Sequence, residues 1–479
     1  MDNEQLRVGF DHTLLKSSAG ASPACEGPVS FIRAKRDFHP ADRPIFIMKW
    51  LIYNFLFSIA YVLMLPKFLT RMLRRGGYAN RFSDRFGHYP QLVLDRLRDG
   101  TARIWVHAVS VGEVAVAGQL MNELRKQAPG TAFVLSVTSS TGWTQAEKCV
   151  QGKDVLLYAP LDFPPCVRRA LDAIRPTAYL ITETEIWPNV IRLASQRKIP
   201  SFLINARISD RSAPGYRRLR SWFGPVLSML THIYAQSETD AQRLRDAGCA
   251  PEIIEVTGSM KFDVAKRNPA KEKELRTWLS DAGISPDAPI LLGGSTWPGE
   301  DAFLVDLYRR VLPKCPKLRL IIAPRHFEKA NDVEKNIIAA GFPCLRKSRA
   351  PRPQKADADA VILADTTGEL MGFYGIADVA FVGKSLCEHG AQNMIEPCLC
   401  GCATAVGPFT ENFRPVMSDL LSHNAIVRGE DRDRLETLLI QLLTDPEAAK
   451  ALGTRASATV RSRTGTTPRI VKELLAQLR

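Results

Sequence analysis

The chain has 479 residues, too many for a single hydrophobic core, so two domains of ordinary size are expected. Its composition, 45% hydrophobic and 24% charged, is that of a globular protein and excludes wholesale disorder. A net charge of +14 suggests an anionic partner (nucleic acid, a phosphorylated substrate or an anionic membrane), with a merely solvated basic surface as the ordinary alternative. Nucleic acid is not expected, because zinc-finger spacing, an RNA-binding aromatic signature and a long basic tail are all missing.

Residues 1–47 read as an N-terminal extension of mixed composition, expected to be disordered; they include the run Ser17 to Pro23 (SSAGASP). Residues 48–76 follow as a hydrophobic segment with a basic flank. Trp50 to Leu65 carries no charge and is just short of a full membrane span. With its apolar neighbours it can cross a bilayer or lie in the interface as an anchor. A buried core helix is the ordinary alternative. Lys67, Arg71, Arg74, Arg75, Arg81 and Arg85 come next. Cations there place the following domains on the cytoplasmic side and suit anionic headgroups.

Beyond Tyr89 the pattern alternates strand and helix. Strands are predicted at Arg103–Val109, Ala132–Thr138, Val155–Tyr158, Ala178–Thr182, Ser201–Asn205, Ile233–Gln236 and Ile253–Thr257. The periodicity lapses after Gly258 and resumes at Pro289–Gly293, Leu318–Ala323, Val361–Ala364, Val379–Val382 and Ala403–Val406. The fold class is therefore α/β: two Rossmann-like domains, 77–260 and 261–464, facing a cleft, with a last helix over 465–479. Neither GxGxxG after the first strand nor GxxxxGK[ST] occurs, which weakens dehydrogenase and ATPase readings. The ten cysteines lack a disulfide or zinc spacing. Cys398, Cys400 and Cys402, alternating through an apolar stretch, read as small packing residues.

Ligands of open parallel sheets bind at the carboxyl ends of the strands, so polar residues there carry the functional reading. Gly112 and Glu113 follow the first strand in HAVSVGEV. Glu113 is either a general base or a helix-start charge complementing the macrodipole. Glu183 and Glu185 follow the fourth strand in TETEIWPN. The run NARISDR ends the fifth and precedes Arg217, Arg218 and Arg220, which suit phosphate or form a salt-bridged face. In the second half, Arg325 ends one strand. Gly383, Lys384 and Ser385 end another and can offer amides and a cation to a phosphate. Glu396 in the next helix can accept hydrogen bonds from ribose. Lys261, in GSMK, can reach a charge in the cleft.

Taken in order, HAVSVGEV, TETEIWPN, NARISDRS, AQSET, GSMKFD, PRHFE and FVGKSLCEHGAQNMIEP resemble the Kdo (3-deoxy-D-manno-octulosonic acid) transferases of lipopolysaccharide synthesis. The resemblance runs from about Met48 to the C-terminus. It implies GT-B architecture, CMP-Kdo as donor and a lipid A precursor (lipid IVA) as acceptor. It also implies inversion at the anomeric carbon, no metal or other cofactor, and a place on the cytoplasmic face of the inner membrane. By position Glu113 looks like the catalytic base, beside Gly112, with Glu183 and Glu185 as the acidic cluster. Lys261, Arg325, Asn393 and Glu396 match residues expected at the donor. Departures from the family pattern fall at Gly383-Lys384-Ser385 and Glu388-His389-Gly390-Ala391. The alternatives are a GT-B enzyme using a UDP- or GDP-sugar, and a silent lipid- or nucleotide-binding protein.

Overall fold

A computed structural model describes residues 43–75 and 79–478, except 354 and 358. Most of the 1–47 extension therefore lies outside the described residues. The chain divides into two units, one up to Tyr61 and one from Val62 onward.

The helix Arg43–Arg75 contains the stretch Ile47–Pro66, long and apolar enough to cross a membrane. Leu51, Phe55, Leu56, Val62 and Leu63 are exposed along it. Its polar side chains turn back onto its own backbone: Asn54 Nδ2 donates to the Trp50 carbonyl at 2.9 Å, and Ser58 Oγ to that of Asn54 at 2.7 Å. That is how polar groups are satisfied where no water is at hand.

Two expected members of the basic flank have other tasks. Arg81 pairs with Asp84 at 2.8 Å. Arg85 is buried, donates to the Thr138 carbonyl at 2.6 Å and lies over the Tyr158 ring. Both therefore tie the 3-10 segment Ala79–Phe86 to the first sheet. The side chains of Lys67, Arg71, Arg74 and Arg75 lie outside the described residues.

The first sheet comprises β1 (Arg103–His107), β2 (Ala132–Val137), β3 (Val155–Tyr158), β4 (Ala178–Thr182), β5 (Ser201–Ala206), β6 (His232–Ala235) and β7 (Ile254–Val256). All pairings are parallel, in the order β3-β2-β1-β4-β5-β6-β7. The second comprises β8 (Ile290–Thr296), β9 (Arg319–Pro324), β10 (Cys344–Arg346), β11 (Val361–Leu363), β12 (Val379–Val382), β13 (Ala403–Val406) and β14 (Val427–Arg428). It is also parallel, in the order β10-β11-β9-β8-β12-β13-β14. Strand order therefore reverses at β1 in one sheet and at β8 in the other, which opens a crevice at each. The central strands are buried on both faces, which explains their continuous apolar runs.

The helix Thr466–Leu478 returns from the second half to the first. Ile470, Val471 and Leu474 enter the core of the first sheet beside Val116 and Leu120. Each such side chain contributes about 1.5–3 kcal/mol by burial. The Asp263 carboxylate accepts from Gly465 N and Thr467 N, both at 2.6 Å, and so clamps the two crossover segments together.

Candidate active site

Ser110 ends the extended stretch after β1 and caps the helix Val111–Gln127. Its hydroxyl accepts from Glu113 N at 3.3 Å and donates to Glu113 Oε1 at 2.7 Å. Val109 N donates to Glu113 Oε2 at 2.9 Å, and Thr182 Oγ1, from the end of β4, lies 3.4 Å from it. This is close to a capping box, so the helix-start reading of Glu113 holds as far as it goes. It is not the whole account. Glu113 is only 8% exposed, and burial, then the charge of Glu183, hold its carboxyl above the ordinary range despite three lowering hydrogen bonds. Gly112 faces open space: an added Cβ would meet only Ser110 Oγ, at 4.0 Å.

The exit of β4 brings the other carboxylates to the same place. Glu183 adopts a left-handed conformation (φ 53°), which costs a non-glycine residue about 1–2 kcal/mol. Its carboxylate pairs with Lys261 at 2.9 Å and Arg207 at 3.7 Å. Glu185 accepts from Trp187 Nε1 at 3.1 Å. Burial and the neighbouring Glu113 push its carboxyl up to about 7. Glu183 and Glu185, alike in sequence, thus differ in partners: Glu183 is paired with two cations and Glu185 with an indole N–H, while both share one crowded negative site with Glu113.

This cluster lies where the halves meet. Arg207 Nη1 donates to the Asn412 carbonyl of the second half at 2.7 Å, and Lys261 lies over the Phe413 ring. Arg414 pairs with Asp210 across the same gap. A cavity of about 1220 Å³ opens beside it, lined by Arg207, Asp210, Gln236, His389, Asn412 and Arg414 among others. Glu113 and Glu185 are outside that lining, so the cavity is a lateral chamber of the cleft. Arg217, Arg218 and Arg220 are exposed and make no ion pair among the described residues, so the salt-bridged-face reading does not describe them there. Burial and Glu185's charge push the Tyr216 phenol up, which places this arginine segment near the carboxylates.

On the opposite wall, Arg325 is exposed, with its amide bonded to the Thr296 carbonyl at 3.0 Å. Asn393 Oδ1 accepts from Ile395 N at 3.1 Å, and its Nδ2 donates to Glu396 Oε1 at 3.0 Å. Burial holds the Glu396 carboxyl high, against Asn393 and the charge of Arg325. The Lys384 ammonium lies 4.7 Å from the centre of the Trp297 ring, whose edge meets His326.

The structure corrects one expectation here. The amides offered to a phosphate already have partners. Gly383 N donates to Gly294 O at 2.9 Å. The amides of Lys384, Ser385 and Leu386 donate to the carboxylate of Glu300, at 2.9, 3.1 and 3.1 Å. Ser385 is fully buried, its hydroxyl donating to Val382 O and accepting from Gly407 N. Only the Lys384 side chain remains available. Sequence reasoning missed Glu300, although its position behind GGSTWPG, opening a helix, was a usable signal. Arg207 was visible within NARISDR and was not singled out. Burial pushes the Cys398 and Cys400 thiols up to about 12, as suits packing residues.

Two parallel-sheet halves, each with a reversal at its first strand, facing each other and tied by a returning C-terminal helix, define the GT-B fold. A crystal structure of a glycosyltransferase from Rickettsia africae shares this fold: TM-score 0.53, 11% identity, covering 79% of this chain and 99% of that one. Residues 80–264 match the family model described as 3-deoxy-D-manno-octulosonic-acid transferase (kdotransferase). The 3-deoxy-D-manno-octulosonic acid transferase of Haemophilus influenzae is 32% identical, over 78% of this chain and 86% of its own length. That of Bordetella pertussis is also 32% identical, over 78% and 87%. The chain belongs to the 3-deoxy-D-manno-octulosonic acid transferase family and is a glycosyltransferase.

Proposed function

We propose that the protein transfers Kdo from CMP-Kdo to a lipid A precursor in lipopolysaccharide synthesis, with inversion and with Glu113 as general base. The observation that carries this reading is a buried carboxylate of raised proton affinity at the β1 reversal, beside the open space over Gly112. An attacking hydroxyl entering over Gly112 gives its proton to Glu113 as oxygen bonds to the anomeric carbon. Ser110 and Val109 hold the carboxylate in place, so little reorganisation accompanies the step. The bond to CMP breaks on the opposite face. Lys384 and Arg325 stabilise the charge that develops on the leaving phosphate, while Asn393 and Glu396 face the nucleoside. Lys261 and Arg207, now on Glu183, can exchange part of that pairing for the Kdo carboxylate. In this reading no metal takes part in the transfer.

The acceptor is a phosphorylated lipid that stays in its membrane. The apolar stretch Ile47–Pro66 supports anchoring there, with the catalytic halves on the cytoplasmic side of the inner membrane. The exposed Arg217, Arg218 and Arg220 suit the acceptor's phosphates or anionic headgroups.

The test is incubation of the full chain in detergent with CMP-Kdo and tetraacyl lipid A precursor, with products resolved by mass. A product heavier by one or more Kdo units, formed equally well with EDTA, is expected. Transfer from UDP- or GDP-sugars in place of CMP-Kdo would sink the donor assignment. Nucleotide binding without any product would leave a silent binding protein.

A further inference from the structure

Glu300 is completely buried, and its carboxylate receives four backbone N–H groups from two loops. Trp297 N, at 2.8 Å, belongs to the loop after β8; the amides of Lys384, Ser385 and Leu386 belong to the loop after β12. The loops are pressed together: a Cβ on Gly383 would fall 2.3 Å from the Ser295 carbonyl oxygen. Each side carries a non-glycine residue in the left-handed region, Ser295 at the irregular end of β8 at φ 54° and Lys384 at φ 58°. Such conformations persist only where the surroundings over-determine them. Successive amides converging on one point form a nest, the kind of site that binds phosphate oxygens. Here the protein fills it with its own carboxylate.

We infer that Glu300 is a positioning residue for the donor site: its carboxylate pins the Ser295–Trp297 and Gly383–Leu386 loops together and sets Lys384 over Trp297, beside His326 and Arg325. The inference rests on the donor reading above. Its consequence is that the donor phosphate is met by side-chain cations and not by this amide nest. Glu300 itself touches no substrate. It acts through the placement of Lys384, so it governs donor binding and leaves the proton transfer at Glu113 alone.

The experiment compares wild type with Glu300→Gln, using the full chain in detergent. A carboxamide presents one oxygen to the four donors and turns an NH2 toward the rest, so the loops part. The expected result is a rise of about tenfold or more in KM for CMP-Kdo and in the Kd for CMP, with kcat within about threefold and the acceptor KM unchanged. A folded variant whose donor KM matches wild type overturns the inference, as does an equal loss in kcat and both KM values. If the variant does not fold, hydrogen exchange on wild type decides. The amides of Trp297, Lys384, Ser385 and Leu386 should be protected together, to the same degree with and without CMP. Fast exchange of these amides, or protection that appears only with CMP, overturns it. A wild type that transfers no Kdo refutes the functional proposal instead, so the two failures are distinguishable.

Discussion

Two glutamates occupy corresponding places in the two halves and have opposite surroundings. Glu113 and Glu300 each stand in the first turn of the helix that follows the first strand of a sheet, at the point of strand reversal. Glu300 is fully buried with four backbone N–H donors on it, and nothing else can reach it. Glu113 takes its hydrogen bonds from Val109 and Ser110 alone, with another carboxylate pressing on it, and burial raises its proton affinity. Saturating a carboxylate with donors makes a structural anchor; burying it with too few donors and a like charge gives it the raised proton affinity that the proposed base role of Glu113 calls for. The position in the fold is the same, and the donors decide the role.

The largest test of this contrast is kinetic. Glu113→Gln preserves the cap geometry and removes the proton acceptor, so kcat should fall by about 10²–10⁴-fold with little change in the thermal melt. Near-wild-type turnover would end its assignment as base. The melt should separate the pair the other way. Glu300→Ala leaves four buried N–H groups unpaired and should lower stability by about 3–5 kcal/mol, read by denaturant titration. Glu113→Ala should lower it by only about 1 kcal/mol, the value of a cap.

The pH dependence follows from the crowding of carboxylates. Glu113 must be ionised to accept a proton, so kcat/KM should fall as the pH drops through its raised pKa. Glu183→Gln removes a like charge and leaves Lys261 and Arg207 unpaired, and both changes lower that pKa. The acid limb of the profile should move to lower pH; movement upward would refute the electrostatic account. Glu185 gives a stability counterpart. Its carboxyl is raised to about 7 in the folded chain, so the folded state holds the proton more tightly than the unfolded one. Stability is therefore lost as pH rises from the ordinary carboxylate range towards 7. Glu185→Gln should stabilise the protein at pH 8 by about 1–2 kcal/mol and by less at pH 5, measured by denaturant titration at both pH values.

The smallest effect concerns Gly112. Its added Cβ meets nothing closer than 4.0 Å, so Gly112→Ala should leave stability unchanged or raise it by up to about 1 kcal/mol. If the acceptor approaches over this backbone, its KM should rise while that of CMP-Kdo does not.

Much of this was legible in the residues. Continuous apolar runs ended by polar clusters marked twelve strands, because strands buried on both faces leave an uninterrupted apolar record. The short edge strands Cys344–Arg346 and Val427–Arg428 escaped, being too brief and too exposed to show a period. HAVSVGEV already put Glu113 at a helix start, and TETEIWPN already put two carboxylates past a strand.

The linear chain determined the alternation of strands and helices, the apolar membrane-length stretch, and the presence of carboxylates and cations at strand ends. Those follow from local periodicity and residue type. The tertiary structure alone decided which of these groups meet. It set Lys261 and Arg207 on Glu183, left Glu185 crowded against Glu113, and gave the amides of Lys384 and Ser385 to Glu300, 84 and 85 residues away in sequence. A side chain's charge state depends on the donors and charges within a few ångströms of it, and the folding of the sheets chooses those neighbours from distant parts of the chain.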